Sequence, residues 1–305
     1  MNIQTVALIG AGAIGAYFVS GMTETLGESF FLVADGARAK RLREEGMRIN
    51  GRQFHPAVKT PKEARGADLL LVCTKGYALE GALDAIRETT AENTQILSLL
   101  NGIDSEEIIA SAVGEAHLLY SVLFINAEHR DGGIVFDPEK TIGVRFGERD
   151  TADITPRMQA IGDLFDACKI HYRFSGDIRT DLWKKFAMNI CYNLPQAVLD
   201  VDYIAYFKSE HVAYLRDRLF EEVEKVGKAE GITVPPLGKT FGNSAPGARF
   251  STLQDLDAKK QTEIDTFLGV LMERAKKHGI DVPYAACIYH AIKALEEKNE
   301  GKFAV

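Results

Sequence analysis

Three polar side chains recur at every fourth residue in the second half of the chain, and their types suit proton transfer. Lys185, Asn189 and Asn193 lie in the stretch Trp-Lys-Lys-Phe-Ala-Met-Asn-Ile-Cys-Tyr-Asn, among apolar neighbours. A helix would place all three along one face. Such residues are costly on a buried helix unless they face a cleft, and a partly desolvated lysine can protonate the alkoxide formed in a carbonyl reduction. A solvated polar stripe fits the same spacing, so two interpretations stay open.

A second candidate site, for an anionic ligand, lies at the start of the chain. Gly10, Gly12 and Gly15 form the pattern Gly-x-Gly-x-x-Gly, with Ala13 and Ile14 before the last glycine. The pattern follows an apolar β-type run and opens a helical one, which is the context of a dinucleotide-binding turn. There the three glycines allow, in order, a tight turn, close approach of the pyrophosphate and close packing of helix on strand. A purely structural turn is the alternative.

Two residues after the second predicted strand bear on which dinucleotide binds. Asp35 lies twenty residues past Gly15. An acid there accepts hydrogen bonds from the adenosine ribose hydroxyls and repels a 2′-phosphate, which predicts NAD. Arg38, three residues further on, could instead bind a 2′-phosphate and favour NADP. A third interpretation makes Asp35 an ordinary turn or helix N-cap residue.

Polar residues also follow two other predicted strands. Lys75 comes after the apolar run that ends at Cys73, and Asn101 comes after the run that ends at Leu100. Ligands of doubly wound sheets bind at the carboxyl ends of the strands, so both are predicted to be site residues. Asn-Gly is also a hairpin signal, but the Ile-Asp-Ser-Glu-Glu that follows it resembles the start of a helix.

The elements that must position these residues alternate between β-type and helical in the first half of the chain. Predicted strands span 5–9, 30–34, 68–73 and 94–100, and predicted helices span about 12–26 and 38–46. Continuous apolar strands indicate a parallel sheet covered on both faces, built from βαβ units. Between 118 and 146, turns at Asp131-Gly132-Gly133 and Asp137-Pro138 predict antiparallel strands that close the sheet, and 170–174 is its predicted last strand.

After Ser175 the chain is predicted to be helical almost to its end. Apolar residues recur at spacings of three and four in 215–226 and 264–275. These two helices are predicted to stop alike, with Gly231 and Gly279 as left-handed caps and a proline beyond each. The predicted fold class is therefore α/β: a Rossmann-type dinucleotide-binding domain, residues 1–175, followed by an all-helical substrate and catalytic domain, residues 176–305.

Composition excludes several classes of protein. A formal charge of -7 argues against a nucleic-acid partner, whose phosphates need a basic surface. The apolar runs are far shorter than the roughly 20 residues that span a bilayer, and the first residues lack the features of a secretory leader. Cysteines and histidines show no metal-binding spacing. We therefore expect a cytoplasmic protein without a metal site or a membrane partner.

The order and spacing of these motifs resemble the ketopantoate reductase (2-dehydropantoate 2-reductase) family over essentially the whole chain. The shared features include the glycine pattern, the lysine and Asn-Gly at the strand ends, and the Trp-x-Lys-x-x-x-Asn-x-x-x-Asn helix. They continue through Ser251–Asp255, Thr262–Asp265 and Gly279–Pro283. Their combination is far more specific than any one of them.

The resemblance implies NAD(P)H-dependent reduction of 2-dehydropantoate to pantoate, a step of pantothenate biosynthesis. Lys185 would be the general acid, and Glu263 would bind the substrate or hold the lysine. The other polar residues would position the substrate and the lysine: Asn101, Asn189, Asn193 and Ser251. Asn101 would also lie near the nicotinamide, and Lys75 would contact cofactor or substrate. Without the resemblance, Glu263 reads as an ordinary acid at a helix N-terminus.

The chain departs from the family pattern at two places. Asp35 stands where many members carry an arginine for the NADP phosphate, so both NADP and NAD remain candidates. Before Ser251 the family often has an asparagine, whereas this chain has Gly-Ala-Arg-Phe, in which Arg249 offers a bidentate partner for a carboxylate. An NADH-dependent D-2-hydroxyacid dehydrogenase acting on another bulky 2-keto acid is therefore one alternative, and a non-catalytic dinucleotide sensor is another. A homodimer is compatible with the sequence.

Overall fold

The computed structural model describes residues 2–130, 132–238 and 245–303 and divides into two compact units. The first unit comprises Met1–Leu100 and Asp104–Asp181, and the second comprises Asn101–Ile103 and Leu182–Val305. The first is mixed α/β and the second is helical, which confirms the predicted fold class. The predicted domain division between residues 175 and 176 stays a prediction.

Twelve strands lie within the described part of the first unit. They are β1 (Val6–Ile9), β2 (Phe30–Val33), β3 (Met47–Ile49), β4 (Arg52–Phe54), β5 (Ala57–Lys59), β6 (Leu69–Val72), β7 (Gln95–Ser98), β8 (Leu118–Phe124), β9 (Ala127–Arg130), β10 (Gly133–Phe136), β11 (Gly143–Gly147) and β12 (Tyr172–Phe174). Five α-helices accompany them in the described residues: α1 (Ala13–Leu26), α2 (Gly36–Glu45), α3 (Leu79–Thr89), α4 (Ser105–Val113) and α5 (Pro156–Ala167).

The second unit is built from the remaining helices, of which α6 begins in the first unit. They are α6 (Ile178–Met188), α7 (Leu194–Leu199), α8 (Ala205–Lys208), α9 (Glu210–Ala229), α10 (Ser251–Asp257), α11 (Val270–Lys277) and α12 (Pro283–Asn299). Two π-helical turns, Asn189–Asn193 and Asp265–Gly269, interrupt this α-helical pattern. No helix in the described ranges combines the length and the apolar character needed to cross a membrane.

The main sheet has eight strands in the order β12-β11-β8-β7-β6-β1-β2-β5. The six strands from β8 to β5 pair in parallel, as the continuous apolar runs predict. In β1, Val6 and Leu8 join one buried apolar cluster while Ala7 and Ile9 join another. Because alternate residues of a strand point to opposite faces, both faces of the sheet are covered, which explains why alternation of polar and apolar residues is absent from the sequence.

The far end of the sheet differs in part from the prediction. β11 does pair antiparallel with β8, and β12 pairs parallel with β11. β9 and β10, however, form an antiparallel hairpin that belongs to a separate four-stranded sheet with β3 and β4. The short strands between residues 47 and 59 carry no strong β pattern and were not predicted. Of the predicted turn at Asp131-Gly132-Gly133, Asp131 lies outside the described residues.

The predicted helix ends in the second unit are confirmed by their backbone geometry. Gly231 and Gly279 have φ of 78° and 64°, which glycine adopts without steric cost. In each case the next residue donates back to the helix, Ile232 N to Gly227 O at 2.8 Å and Ile280 N to Ala275 O at 2.9 Å. These bonds satisfy carbonyls that the helix end would otherwise leave unpaired.

Candidate active site

The glycine pattern forms the turn between β1 and α1, and two of its glycines are required by packing. Gly10 has φ of 101°, and a Cβ there would lie 2.5 Å from the carbonyl carbon of Cys73. A Cβ on Gly15 would lie 2.4 Å from the Gly10 carbonyl oxygen. Any larger residue at either position would therefore collide with backbone, as the tight turn and the close helix–strand packing predict.

The remaining glycine of the pattern is not required by the protein's own packing. A Cβ on Gly12 would meet no atom within 4 Å, and the φ of Gly12 is −106°, which any residue can adopt. Gly12 is the N-cap of α1, whose first turn carries no acidic residue. A helix N-terminus with open space before it is suited to an anion such as a pyrophosphate. Nearby, the buried Thr74 Oγ1 has no hydrogen-bond partner among the described residues.

The predicted cofactor residues of the first unit follow three adjacent strands. β1 lies between β2 and β6, so Gly10, Asp35 and Lys75 all come after the carboxyl ends of neighbouring parallel strands. The chain order reverses direction across the sheet at β1, and open α/β sheets bind ligands at such a point. The residues present therefore fit a dinucleotide.

Asp35 and Arg38 are both exposed at this edge of the sheet. Asp35 occupies the N-cap position of α2, but its side chain makes no capping hydrogen bond. Asp35 therefore has the position of a capping residue without the side-chain hydrogen bond of one, and its role toward a ribose stays a prediction. Arg38 lies in the first turn of α2, three residues further along the chain.

In the second unit, three of the predicted site residues are joined by hydrogen bonds. Lys185 Nζ donates to Asn101 Oδ1 at 2.9 Å, and Asn101 Nδ2 donates to Glu263 Oε2 at 3.1 Å. The asparagine therefore connects the amino group to the carboxylate. Glu263 is only 4% exposed, and a buried carboxylate is stable only when it is paired or hydrogen-bonded.

The amino group of Lys185 is electrostatically unusual. Desolvation disfavours its charged form and lowers its pKa to about 8, while the Glu263 carboxylate opposes this by favouring the ammonium ion. A lysine of ordinary pKa is a poor proton donor near neutral pH, because its proton is held too tightly. The balance of burial and Glu263 therefore brings Lys185 into the range that general acid catalysis uses.

The two asparagines that follow Lys185 lie on the π-helical turn rather than on a continuous α-helix. Asn193 Nδ2 donates to Asn189 Oδ1 at 3.3 Å, so the turn keeps the pair together. Asn193 is 9% exposed and Asn189 is half-buried, which rules out a fully solvated stripe. π-helical turns are rare and are often found at functional sites.

Buried polar side chains connect the residues before and after the loop that carries Asn101. Ser98 Oγ, at the end of β7, hydrogen-bonds Ser105 Oγ at 2.7 Å, and Ser105 Oγ donates to Glu106 Oε2 at 2.9 Å. Ser121 donates its N–H to Glu106 Oε1 and its hydroxyl to the Ser98 carbonyl. Burial raises the pKa of Glu106 to about 7. As predicted, Asn101 is followed by a helix, α4, and not by a returning strand.

Ser251 is the first residue of α10, and buried contacts hold the segment before it. The amide of Gln196, a fully buried residue of α7, donates to Ala248 O at 2.8 Å and accepts from Phe250 N at 2.7 Å. Arg249 Nη2 contacts Asp200 Oδ1 at 3.0 Å and Asp257 Oδ2 at 2.8 Å. Arg249 Nη2 is thus paired with two carboxylates of the protein, and the suggested role of Arg249 toward a substrate carboxylate stays a prediction.

Several residues around the site were not predicted from the sequence. Glu106 and Glu107 are adjacent acids at the start of α4, and only the fold shows that the first is buried. Gln196 carried no signal at all. Glu296 did carry one, because it continues the apolar stripe of α12 at Ile288 and Ile292 with the same spacing of four, and it is 8% exposed.

Known proteins are similar to this chain over almost its full length. A 2-dehydropantoate 2-reductase from Nostoc sp. is 23% identical over 319 aligned positions, covering 98% of this chain and 97% of that protein. The crystal structure of a PanE/ApbA family ketopantoate reductase from Ralstonia eutropha JMP134 superposes with a TM-score of 0.84 at 25% identity, covering 97% of this chain and 99% of the other.

A second solved structure shares the fold. The ternary structure of D-mandelate dehydrogenase with NADH and anilino(oxo)acetate has a TM-score of 0.82 at 22% identity and covers 97% of this chain and 99% of its own. Family models identify both parts of the chain: ketopantoate reductase PanE/ApbA matches residues 6–146, and its C-terminal model matches residues 177–296. The chain is therefore an oxidoreductase that belongs to the ketopantoate reductase family.

Proposed function

We propose that this chain reduces 2-dehydropantoate to pantoate, with Lys185 as the proton donor. The observation that carries the proposal is the hydrogen-bonded connection from Lys185 through Asn101 to Glu263. In this connection Asn101 orients the amino group of Lys185, whose pKa is lowered, and the Glu263 carboxylate supplies an opposite charge. A lysine on a solvated helix face would have neither, and family membership supports the reaction type.

The chain's own residues account for the protonation half of the reaction. When a hydride adds to the ketone carbon, the carbonyl oxygen becomes an alkoxide, and Lys185 Nζ gives it a proton to form the hydroxyl group. The lysine is left as a neutral amine and regains its proton from solvent. Asn101 holds the amino group, Glu263 favours its charged form, and Asn189, Asn193 and Ser251 bind the polar groups of the substrate. Because the amino group and the substrate are both held, the lysine proton is transferred to the carbonyl oxygen of the ketone.

A bound nicotinamide dinucleotide supplies the hydride. The N-terminal turn of α1, including the backbone of Ala13 and Ile14, would hold the pyrophosphate, and the open space at Gly12 supports this. Asp35 or Arg38 would face the adenosine ribose. Lys75 would contact the cofactor or the substrate, and Asn101 would lie near the nicotinamide. The predicted homodimer and cytoplasmic location stay predictions.

Steady-state kinetics test the substrate. We expect 2-dehydropantoate to give the highest kcat/KM in a panel that includes branched and aromatic 2-keto acids, each assayed with NADH and with NADPH. A kcat/KM for 2-dehydropantoate far below that of another 2-keto acid would contradict the proposal. Absence of turnover with every acid, together with retained dinucleotide binding, would instead support a sensor, although a sensor has no use for Lys185 and Glu263.

One observation favours a second candidate, a D-2-hydroxyacid dehydrogenase acting on another bulky 2-keto acid. Ala248 stands where the family pattern often has asparagine, and it packs with Phe250 against a buried aromatic cluster that includes Tyr192 and Tyr203. This surrounding is less polar than the family pattern implies. The fold shared with D-mandelate dehydrogenase supports the same candidate. The panel above separates the two.

Asp35 leads to a prediction about the cofactor. In the unaltered protein NADH should be at least competitive with NADPH, because an exposed carboxylate repels a 2′-phosphate. Asp35→Arg should raise the NADPH to NADH ratio of kcat/KM about tenfold or more, since a charge-assisted hydrogen bond contributes about 1.5–3 kcal/mol.

Glu44→Arg is the matched control for Asp35→Arg. It makes the same change of charge on an exposed residue of α2, away from the carboxyl end of β2, and it should leave the cofactor ratio unchanged. Strong NADPH selectivity in the unaltered protein would contradict the prediction and would assign the 2′-phosphate to Arg38.

A further inference from the structure

Glu263 is flanked by a residue that α12 holds in place. Thr262, just before it, donates both its N–H and its hydroxyl to Glu296 Oε1, at 2.8 and 2.7 Å. The Thr262 hydroxyl oxygen also accepts the Ile264 N–H at 3.3 Å. One buried threonine therefore connects the backbone on both sides of Glu263 to a single carboxylate of α12, and Thr262 and Glu296 are 1% and 8% exposed.

A second set of contacts from α12 holds the residues that follow. Tyr289 donates its hydroxyl to Asp265 Oδ1 at 2.7 Å, and Lys293 Nζ contacts Asp265 Oδ2 at 3.3 Å. Lys293 Nζ also lies 3.1 Å from Glu296 Oε2, so one lysine connects the two acids. The segment that carries Glu263 is thus attached to α12 before and after that residue.

The conformation of the segment before Glu263 bears directly on the position of the Glu263 carboxylate. Residues 258–263 form an irregular connection between α10 and the helical turn that begins at Ile264. Backbone hydrogen bonds hold its two ends, from Lys259 N and Lys260 N to α10 and from Phe267 N to Glu263 O. Between them, the Thr262 N–H is satisfied by the Glu296 side chain rather than by backbone. Glu263 in turn accepts from Asn101, which accepts from Lys185.

We propose that Glu296 is a positioning residue of the active site, which acts through Thr262 to hold the Glu263 carboxylate against Asn101. This inference rests on the proposed function only for its kinetic readout. Glu296 contacts Thr262 and Lys293, and its effect on the reaction is transmitted by the Thr262–Glu263 backbone.

The proposal predicts a change in the titration of Lys185. Glu263 is the charged group that raises the pKa of this lysine against the effect of burial. If the carboxylate is no longer held in place, its influence weakens and the pKa of Lys185 falls below about 8. Around Glu296 itself the charged groups are Lys293, whose Nζ lies 3.1 Å from Glu296 Oε2, and beyond it Asp265, whose Oδ2 lies 3.3 Å from the same Nζ.

The experiment compares two pairs of variants. Glu296→Ala removes the acceptor of both Thr262 donors. Glu297→Ala is the control, because it removes the adjacent, half-buried acid of α12, whose carboxylate contacts Lys302 and not Thr262. Thr262→Val removes only the hydroxyl, and Thr262→Ser restores it. We expect Glu296→Ala and Thr262→Val to lower kcat about tenfold and to move the alkaline limb of the kcat–pH profile to lower pH, with little change in KM for the dinucleotide. Glu297→Ala and Thr262→Ser should resemble the unaltered protein.

A measurement without turnover separates this proposal from the proposed function. In protein labelled with [13Cε]lysine, the Lys185 resonance, assigned by Lys185→Arg, reports the titration of its amino group directly. A lower Lys185 pKa in Glu296→Ala and Thr262→Val supports the proposal even if 2-dehydropantoate is not the substrate. An unchanged pKa in folded Thr262→Val, or an equal shift in Thr262→Ser, overturns it. If Glu296→Ala does not fold, the threonine pair alone decides.

Discussion

Lys185→Ala is expected to lower kcat by about 10²-fold or more, the usual loss when a general acid is removed. Without the amino group, the alkoxide can take its proton only from water, which is neither positioned nor of matched acidity. Dinucleotide affinity should stay similar, because the residues proposed to bind the dinucleotide lie mainly at the strand ends of the first unit. Kinetics at saturating substrate, with dinucleotide binding followed by fluorescence, would measure both.

The role of Lys185 as a general acid also predicts how turnover changes with pH. A general acid works in its protonated form, so turnover should fall as the pH rises through the Lys185 pKa of about 8. The alkaline limb should be absent from Lys185→Ala, whose residual rate has no lysine to titrate. Lys184→Ala is the matched control, since it removes the adjacent lysine from the same helix.

Unchanged turnover in Lys185→Ala would remove this residue from the mechanism. The variant also leaves Asn101 Oδ1 without its lysine donor, which costs about 1–3 kcal/mol when such a group is buried. Thermal unfolding should therefore accompany the kinetics, so that a loss of folded protein is not mistaken for a loss of catalysis.

Gly12→Ala is expected to weaken dinucleotide binding with little change in stability, whereas Gly10→Ala is expected to lower the stability of the folded protein. At Gly12 an added Cβ meets nothing within 4 Å and the backbone is unstrained, so stability should change by less than about 1 kcal/mol. The methyl group would, however, occupy the space through which a pyrophosphate approaches the helix. We expect the dinucleotide Kd to rise at least about tenfold, corresponding to roughly 1.4 kcal/mol of binding free energy.

Gly10→Ala should instead destabilise the folded protein. Its Cβ would lie 2.5 to 2.7 Å from backbone atoms of Cys73 and Thr74, and its φ of 101° is unfavourable for any residue with a side chain. Backbone strain and overpacking each cost about 1–3 kcal/mol, so the midpoint of urea unfolding should fall markedly. A dinucleotide Kd that is unaffected by Gly12→Ala in folded protein would contradict the assignment of this turn to the cofactor.

Much of the fold follows from local patterns in the sequence. The run from Val6 to Ile9, the glycines after it and the helix that follows interact with each other over a few residues, so their spacing specifies their conformation. The helix ends at Gly231 and Gly279 are equally local, because a left-handed residue there is determined by the glycine itself. The helix after Asn101 could be predicted from the acids in its first turn.

The second sheet could not be predicted in the same way. Its strands are short, and they pair segments near residues 50 and 130 that are far apart in the chain. Whether β9 and β10 extend the main sheet or form another depends on which edge is already occupied, and that is a property of the assembled unit. The π-helical turn at Asn189–Asn193 likewise has no local signature.

The polar residues around Lys185 show most clearly what the sequence determines and what the tertiary structure determines. Sequence alone identified Lys185, Asn189 and Asn193 as a recurring set and left open whether water or a cleft surrounds them. Only the tertiary structure joins Lys185 to Asn101, 84 residues away, and Asn101 to Glu263, 162 residues away. A pKa depends on burial and on neighbouring charges in space. The spacing of residues in the sequence therefore indicated Lys185 as the candidate proton donor, and the packing of distant segments determined the acidity of its amino group.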